Sequence, residues 1–226
     1  VDNEDQNLLP NILLFLLSGI WAERMDWYFG VDMAVYHTTG INPRVPVVPD
    51  AFLSIGVERR KGGKSRRSYA VWEENDVVPI ATLEMVSHQP GGEYDEKMAI
   101  YANLNVLYYI IYNPEFWRRD RYQPFEVYKL VDGIYQLQIG EPYWMPEVGL
   151  GIGRSQQLIG GVQLEILCWY DEAGHPYPTP DRIRERLARE HQRAEIERQR
   201  ADVERQRAEK LAQYVRSLGI DPDNLP

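Results

Sequence analysis

Apolar residues in the N-terminal segment fall at Leu8, Leu9, Ile12, Leu13, Leu16 and Leu17. That spacing covers one broad helical face and predicts a helix over residues 5–28. Val31 to Tyr36 reads as a strand. Pro46 and Pro49 then hold the chain extended up to Asp50, and Ala51 to Val57 reads as the next strand. Lys61-Gly62-Gly63-Lys64 has the paired glycines of a tight hairpin, which predicts that Ser68 to Trp72 returns antiparallel. Val77 to Val86, broken by Pro79, is apolar except at Thr82 and Glu84. A short run of this kind suits a strand buried on both faces at the centre of a sheet.

Glu93 to Asn103 has helical spacing, with Met98, Tyr101 and Ala102 on one side and acidic residues in its first turn, where the helix dipole favours them. Val106 to Tyr112 is a dense aliphatic and aromatic strand ended by Asn113-Pro114. Strand, helix and strand in this order form a βαβ unit, for which a right-handed crossover is expected. Phe125 to Leu130 and Ile134 to Ile139 flank Val131-Asp132-Gly133, an Asp-Gly hairpin signal. The stretch to Tyr170 reads as irregular with one final strand. Pro176, Pro178 and Pro180 mark a boundary.

Beyond that boundary the pattern changes. Heptads beginning at Gln192, Gln199 and Gln206 can be overlaid, and helix propensity is high throughout. Apolar pairs such as Ala194 and Ile196 lie two apart and point to different faces. A coiled-coil seam needs them three and four apart. Residues 181–218 therefore read as a solvated charged helix or as a weak coil that joins copies into a homo-oligomer. The chain divides into an N-terminal helix (1–30), a mixed α/β body (31–175), the charged helix (181–218) and a short tail (219–226).

Hydrophobic residues make up 44% of the 226 positions and aromatics 12%, a folding composition. The apolar run from Ile12 to Trp21 is interrupted at Ser18-Gly19 and is too short to span a bilayer. Asp2, Glu4 and Asp5 precede it where a secretory signal carries basic residues, so no membrane partner and a cytoplasmic location are expected. The single cysteine, Cys168, excludes an intramolecular disulfide and a cysteine-based zinc cluster, and its apolar setting makes it a core residue. A net charge of −9 weighs against nucleic acid as a partner. Yet Arg59, Arg60, Lys61, Lys64, Arg66 and Arg67 crowd into one stretch. That cluster is either an exposed hairpin or a local contact for a phosphate backbone.

Three residues could carry chemistry. Asp50 follows a proline and opens a strand, Glu84 interrupts a buried apolar strand, and Lys97 lies about one turn into the following helix. A buried carboxylate is costly unless it is paired or binds a metal. Two carboxylates and a lysine around one point suit phosphodiester hydrolysis, because oxygen ligands fit Mg²⁺ and an ammonium can orient a water or neutralise developing charge. The bland alternatives are that Asp50 only terminates its strand and that Glu84 is only salt-bridged to Lys97. No phosphate-binding glycine loop, serine-hydrolase elbow or histidine metal spacing is present.

The order Pro49-Asp50, Leu83-Glu84-Met85-Val86-Ser87, Asp95-Glu96-Lys97 with Tyr101, and then a strand ending in Asn113-Pro114 resembles the Uma2 family. That family, also called DUF820, belongs to the PD-(D/E)xK nuclease superfamily. The hairpin from Tyr128 to Tyr135, the segment from Trp144 to Ile152 and the ending Leu218 to Pro222 look similar to long cyanobacterial members. The resemblance implies a restriction-endonuclease-like α/β fold, with a mixed central sheet and flanking helices ahead of the charged C-terminal helix. It implies that Asp50, Glu84 and the main-chain carbonyl of Met85 hold Mg²⁺ or Mn²⁺, and that Lys97 replaces the superfamily lysine whose place here is Val86. It further implies DNA as substrate. Asn113 departs from the aspartate common before this proline, and Glu23 is the candidate for the superfamily's N-terminal glutamate. A nuclease-derived protein that binds or assembles without cutting is the alternative function.

Overall fold

A computed structural model describes residues 4–39, 45–89 and 91–217. In chain order its elements begin with α1 (Glu4–Ile20), β1 (Trp27–Val31), β2 (Val35–Tyr36), β3 (Ala51–Ile55), β4 (Tyr69–Ala70) and β5 (Ala81–Met85). Next come α2 (Glu96–Asn103), β6 (Tyr108–Tyr112), α3 (Trp117–Asp120), β7 (Phe125–Val131) and β8 (Ile134–Leu137). The chain continues through β9 (Tyr143–Met145), β10 (Leu150–Ile159), β11 (Val162–Tyr170) and α4 (Pro180–Ser217).

The principal sheet has the order β1-β3-β5-β6-β7-β8. Its neighbours are antiparallel except β5 and β6, the parallel pair that α2 connects. This is a restriction-endonuclease-like α/β arrangement. The central strands β5 and β6 are buried at every position, as their unbroken apolar runs require. On one face Tyr101 and Leu104 pack with Phe52, Tyr69, Tyr109 and Ile111. Near α1, the buried indole of Trp169 donates to the carbonyl of Leu13 at 2.9 Å. Among the described residues no helix is long and apolar enough to cross a membrane.

Four sequence expectations need correction. The first helix ends at Ile20, not at residue 28, and Trp27–Val31 forms β1. The chain turns at Trp21–Arg24, and the consecutive aromatics Trp27, Tyr28 and Phe29 favour a pleated, half-buried strand. The strand expected over 31–36 is broken at Asp32, which has φ 48°, leaving β2 as a separate piece. Lys61–Gly63 is a 3-10 turn with Gly62 at φ 53° and Gly63 at φ 77°, not a hairpin that returns to β3. Both edges of β3 are already taken by β1 and β5, so β4 pairs in parallel with β2 instead.

The last correction concerns the stretch before Tyr170, which forms a second, three-stranded sheet, β11-β10-β9. Its glycines hid it. A Cβ at Gly151 would meet Tyr170 Cβ at 3.0 Å, and one at Gly153 would meet Pro142 Cα at 3.0 Å, so these glycines serve close packing within strands. By contrast, the Asp132-Gly133 hairpin turn forms as expected, with φ 51° and 79°.

The chain forms two compact units, Val1–Gln157 with Gln163–Tyr177, and Leu158–Val162 with Pro178–Pro226. In the second, Asp181 accepts the Gly160 amide at 2.7 Å at the start of α4. No residue of α4 is buried, and Ile183, Leu187, Ile196, Val203 and Leu211 are all exposed. The similarity noted over Leu218 to Pro222 and the tail at 219–226 lie outside the described residues.

Candidate active site

The register of the principal sheet places several carboxylates in one row. Ala51 pairs with Leu83, so Asp50, one residue earlier, stands opposite Glu84. Glu84 pairs with Ile111, and Ile111 pairs with Glu126. Val31 pairs with Ala51, which extends the row to Asp32, whose amide donates to the Asp50 carbonyl at 3.0 Å. Partners across a ladder share a face of the sheet, so Glu84, Ile111 and Glu126 lie on one side, with the two glutamates two strand spacings, about 9.6 Å, apart.

At the centre of the row the three expected residues meet. Glu84 is completely buried. Its Oε2 accepts from Lys97 Nζ at 2.7 Å and its Oε1 from the Tyr101 hydroxyl at 2.6 Å. Lys97 and Tyr101 are four residues apart, so α2 presents both to the same carboxylate. The Asp95 side chain caps that helix by accepting from the Glu96 amide at 2.5 Å. Asp50 Oδ2 accepts the Met85 amide at 2.6 Å, which ties the first carboxylate to the strand that carries the second. Sequence reasoning placed Tyr101 on the apolar side of the helix and in the family motif but with no role at the site, and its hydroxyl adds a hydrogen bond there.

Burial raises the Glu84 carboxyl to about 8, with Asp50 adding to the rise and Lys97 and Tyr101 opposing it. Burial also raises Asp50, against the Met85 amide and Lys97. For Lys97, burial alone lowers the ammonium, but the Glu84 carboxylate overrides it and the net shift is upward. The site therefore resists carrying two bare negative charges and favours added positive charge. Asp50, Glu84 and the Met85 carbonyl are a hard oxygen set. Among the described residues no cluster of three or more His, Cys, Asp or Glu offers an all-protein cage. Oxygen donors of this kind suit a hard divalent cation and lack the nitrogen and sulfur ligands typical of zinc.

Other sequence-derived candidates lie elsewhere. Glu23 is exposed in the turn after α1, and Asp32, not Glu23, stands next to Asp50 in the carboxylate row. Asn113 is buried and organises its turn, accepting the Phe116 amide at 2.9 Å and donating to Asp120 at 3.0 Å. The basic cluster is divided among internal tasks. Arg66 makes two 2.9 Å bonds to Glu74 and lies over Tyr28, Lys61 reaches Glu73, and Arg59 covers Trp27. Arg60 donates to Ser65 at 3.1 Å, while Lys64 and Arg67 are exposed. Trp27 pairs with Ile55, five residues along β1 from Asp32, which places the Arg59 contact about 16 Å from the carboxylate row. The structure does not bring that contact to the site.

Two residues of the row, Asp32 and Glu126, were not anticipated. Glu126 is buried, its Oε2 has no hydrogen-bond partner, and burial raises its carboxyl. The signal was present in Phe125-Glu126-Val127, an acid inside an apolar strand, which is the feature that drew attention to Glu84.

The fold is that of a restriction-endonuclease-like α/β chain. The Uma2 family model, described as "Putative restriction endonuclease", matches residues 4–158, and the chain belongs to that family. Among solved structures, a "putative nuclease belonging to DUF820" from Anabaena variabilis ATCC 29413 is similar at 12% identity and a TM-score of 0.45. The match covers 64% of this chain and 72% of that one. No curated protein matches the chain.

Proposed function

We propose that the chain is a divalent-metal-dependent endonuclease that hydrolyses DNA phosphodiester bonds. The observation that carries this reading is the convergence of Asp50, Glu84 and Lys97 at one end of the central strands, with Lys97 2.7 Å from Glu84. Asp50, Glu84 and the Met85 carbonyl would hold Mg²⁺ or Mn²⁺. A bound ion supplies charge stabilisation at the phosphoryl oxygens and a more acidic water. Lys97 orients the nucleophile and offsets negative charge that develops on the phosphate. Tyr101 fixes the second oxygen of Glu84, so this carboxylate has one orientation.

Cleavage of supercoiled plasmid tests the reading. Nicking is expected with Mg²⁺ or Mn²⁺, and not with EDTA or in Asp50→Ala or Lys97→Ala. A second reading, a nuclease-derived protein that binds or assembles without cutting, has its own support. Both Glu84 oxygens already accept hydrogen bonds, as in a purely structural ion pair. Absence of cleavage at every metal concentration, or cleavage that persists equally in both variants as a contaminant's would, favours that second reading.

A further inference from the structure

The segment from Phe116 to Tyr122 reads Phe-Trp-Arg-Arg-Asp-Arg-Tyr and follows the end of β6 at which the carboxylate row lies. Two contacts hold it beside the site. Arg119 donates to the carbonyl of His88, in the loop that leaves β5, at 2.8 Å. Tyr122 stacks on Tyr94, at a centroid separation of 3.5 Å and an interplanar angle of 3°. Tyr94 lies in the approach to α2, three residues before Lys97. The segment is thus pinned to both elements that carry the central residues.

Its arginines divide into two kinds. Arg119 is committed to Asp120 and His88. Arg118 and Arg121 are exposed and, among the described residues, have no carboxylate partner. Arg118 rests on the Trp117 ring at 4.8 Å, and Arg121 closes α3 at φ 64°. Elsewhere around the sheet the cations are largely paired: Lys61 with Glu73, Arg66 with Glu74, Lys129 with Glu147 and Arg154 with Glu141. A protein of net charge −9 that leaves two arginines unpaired in a segment pinned to the loop after β5 and to the approach to α2 has placed local positive charge on the side from which a polyanion would approach.

We infer that Arg118 and Arg121 are the contacts through which this chain holds the phosphate backbone of duplex DNA next to the Asp50–Glu84–Lys97 site. The substrate class rests on the endonuclease reading, and the placement rests on the geometry of α3. Aromatic support under Arg118 limits the freedom that this side chain loses on binding. The loop at residues 59–67 keeps only Lys64 and Arg67 as exposed cations without a partner among the described residues.

The test is binding of a fluorescent 20-base-pair duplex across a salt series, with Ca²⁺ replacing Mg²⁺ so that binding is read without cutting. The double variant Arg118→Gln/Arg121→Gln is expected to bind roughly tenfold more weakly or worse, with a salt slope shallower by about two. Lys64→Gln/Arg67→Gln serves as the control and is expected to match the native protein. Equal binding by all three proteins, a loss confined to the control, or no binding by the native protein at low salt would each overturn the inference. If plasmid cleavage depends on Lys97 while the arginine variant binds normally, the endonuclease reading stands and this surface does not. Loss of binding in the arginine variant by a protein that never cuts leaves the surface standing and removes the endonuclease.

Discussion

Lys97 and Glu84 form a 2.7 Å ion pair in which the carboxylate is fully buried while the lysine side chain keeps 26% exposure. The asymmetry matters because the two partners have different escapes. With Glu84 replaced by Gln, Lys97 can turn its ammonium toward water. With Lys97 replaced by Met, Glu84 keeps only Tyr101 and must remain charged in a dry site or take up a proton. Lys97→Met is therefore expected to cost about 3 kcal/mol at pH 8–9. The cost should shrink toward pH 5, where protonation of Glu84 is easy. Glu84→Gln should fall within about 1 kcal/mol of the native protein. Urea unfolding at both pH values measures this, and a pH-independent loss in Lys97→Met would show that the pair does not act as described.

Glu126 presents the opposite case, a buried carboxyl with one oxygen unpartnered. Burial raises its folded-state pKa. Its contribution to stability is thus fully present below the unfolded value and is lost as pH rises through the folded one. Glu126→Gln removes the titration and keeps the shape. A gain of about 1 kcal/mol is expected at pH 8 and none near pH 4. Thermal unfolding of both proteins at those pH values would decide it. A loss of stability at pH 8 would mean that the carboxylate has a partner, such as a bound cation.

Much of the principal sheet was legible in the sequence, because short apolar runs bounded by turn residues suit buried strands, although of the run at 77–86 only Ala81–Met85 is strand and Val77 to Ile80 lead into it. The contact between Glu84 and Lys97 was legible for a similar reason: Glu84 is an acid where an apolar residue packs better and so needs a partner. Register was not legible. Nothing local states that Asp50 stands opposite Glu84, or that Ile111 bridges Glu84 to Glu126, because pairing depends on strands far apart in sequence. Pairing inside the basic cluster was not legible either. Arg66 and Glu74 are eight residues apart, and no helical or strand period predicts that they meet. The second sheet escaped notice because Gly149, Gly151 and Gly153 imitate a loop in composition while two of them pack inside β10.

The buried pair Arg66–Glu74 should behave unlike the pairs of α4. Side-chain exposures are 2% for Arg66 and 6% for Glu74, against 70% and 50% for Arg205 and Asp202. Burial on its own raises Glu74, but the two Arg66 bonds and Lys61 outweigh it and hold the carboxyl below the usual glutamate range. Its contribution is therefore present above the unfolded pKa and is lost as pH falls through the depressed folded value. Arg66→Met is expected to destabilise by about 3 kcal/mol at pH 7, and by less in acid. Arg205→Met should change stability by less than about 0.5 kcal/mol. Denaturant midpoints for both variants make the comparison, and equal effects would contradict the difference in burial.

Metal binding and the lysine's role can be separated without measuring cleavage. If Asp50 and Glu84 hold the ion, Mn²⁺ binds the folded state and not the unfolded chain. At a hundred times its dissociation constant it should then add about 2.7 kcal/mol of stability to EDTA-treated protein. Asp50→Asn removes a ligand and should abolish this gain. It also breaks the tie to the Met85 amide only partly, since a carboxamide oxygen can still accept that 2.6 Å bond. Lys97→Met removes a cation that competes for Glu84, so it should keep the Mn²⁺ stabilisation, or enlarge it, while losing cleavage. Thermal shift titrations of the three proteins supply the readout. Loss of the Mn²⁺ effect in Lys97→Met, or its survival in Asp50→Asn, would place the ion somewhere other than between these carboxylates.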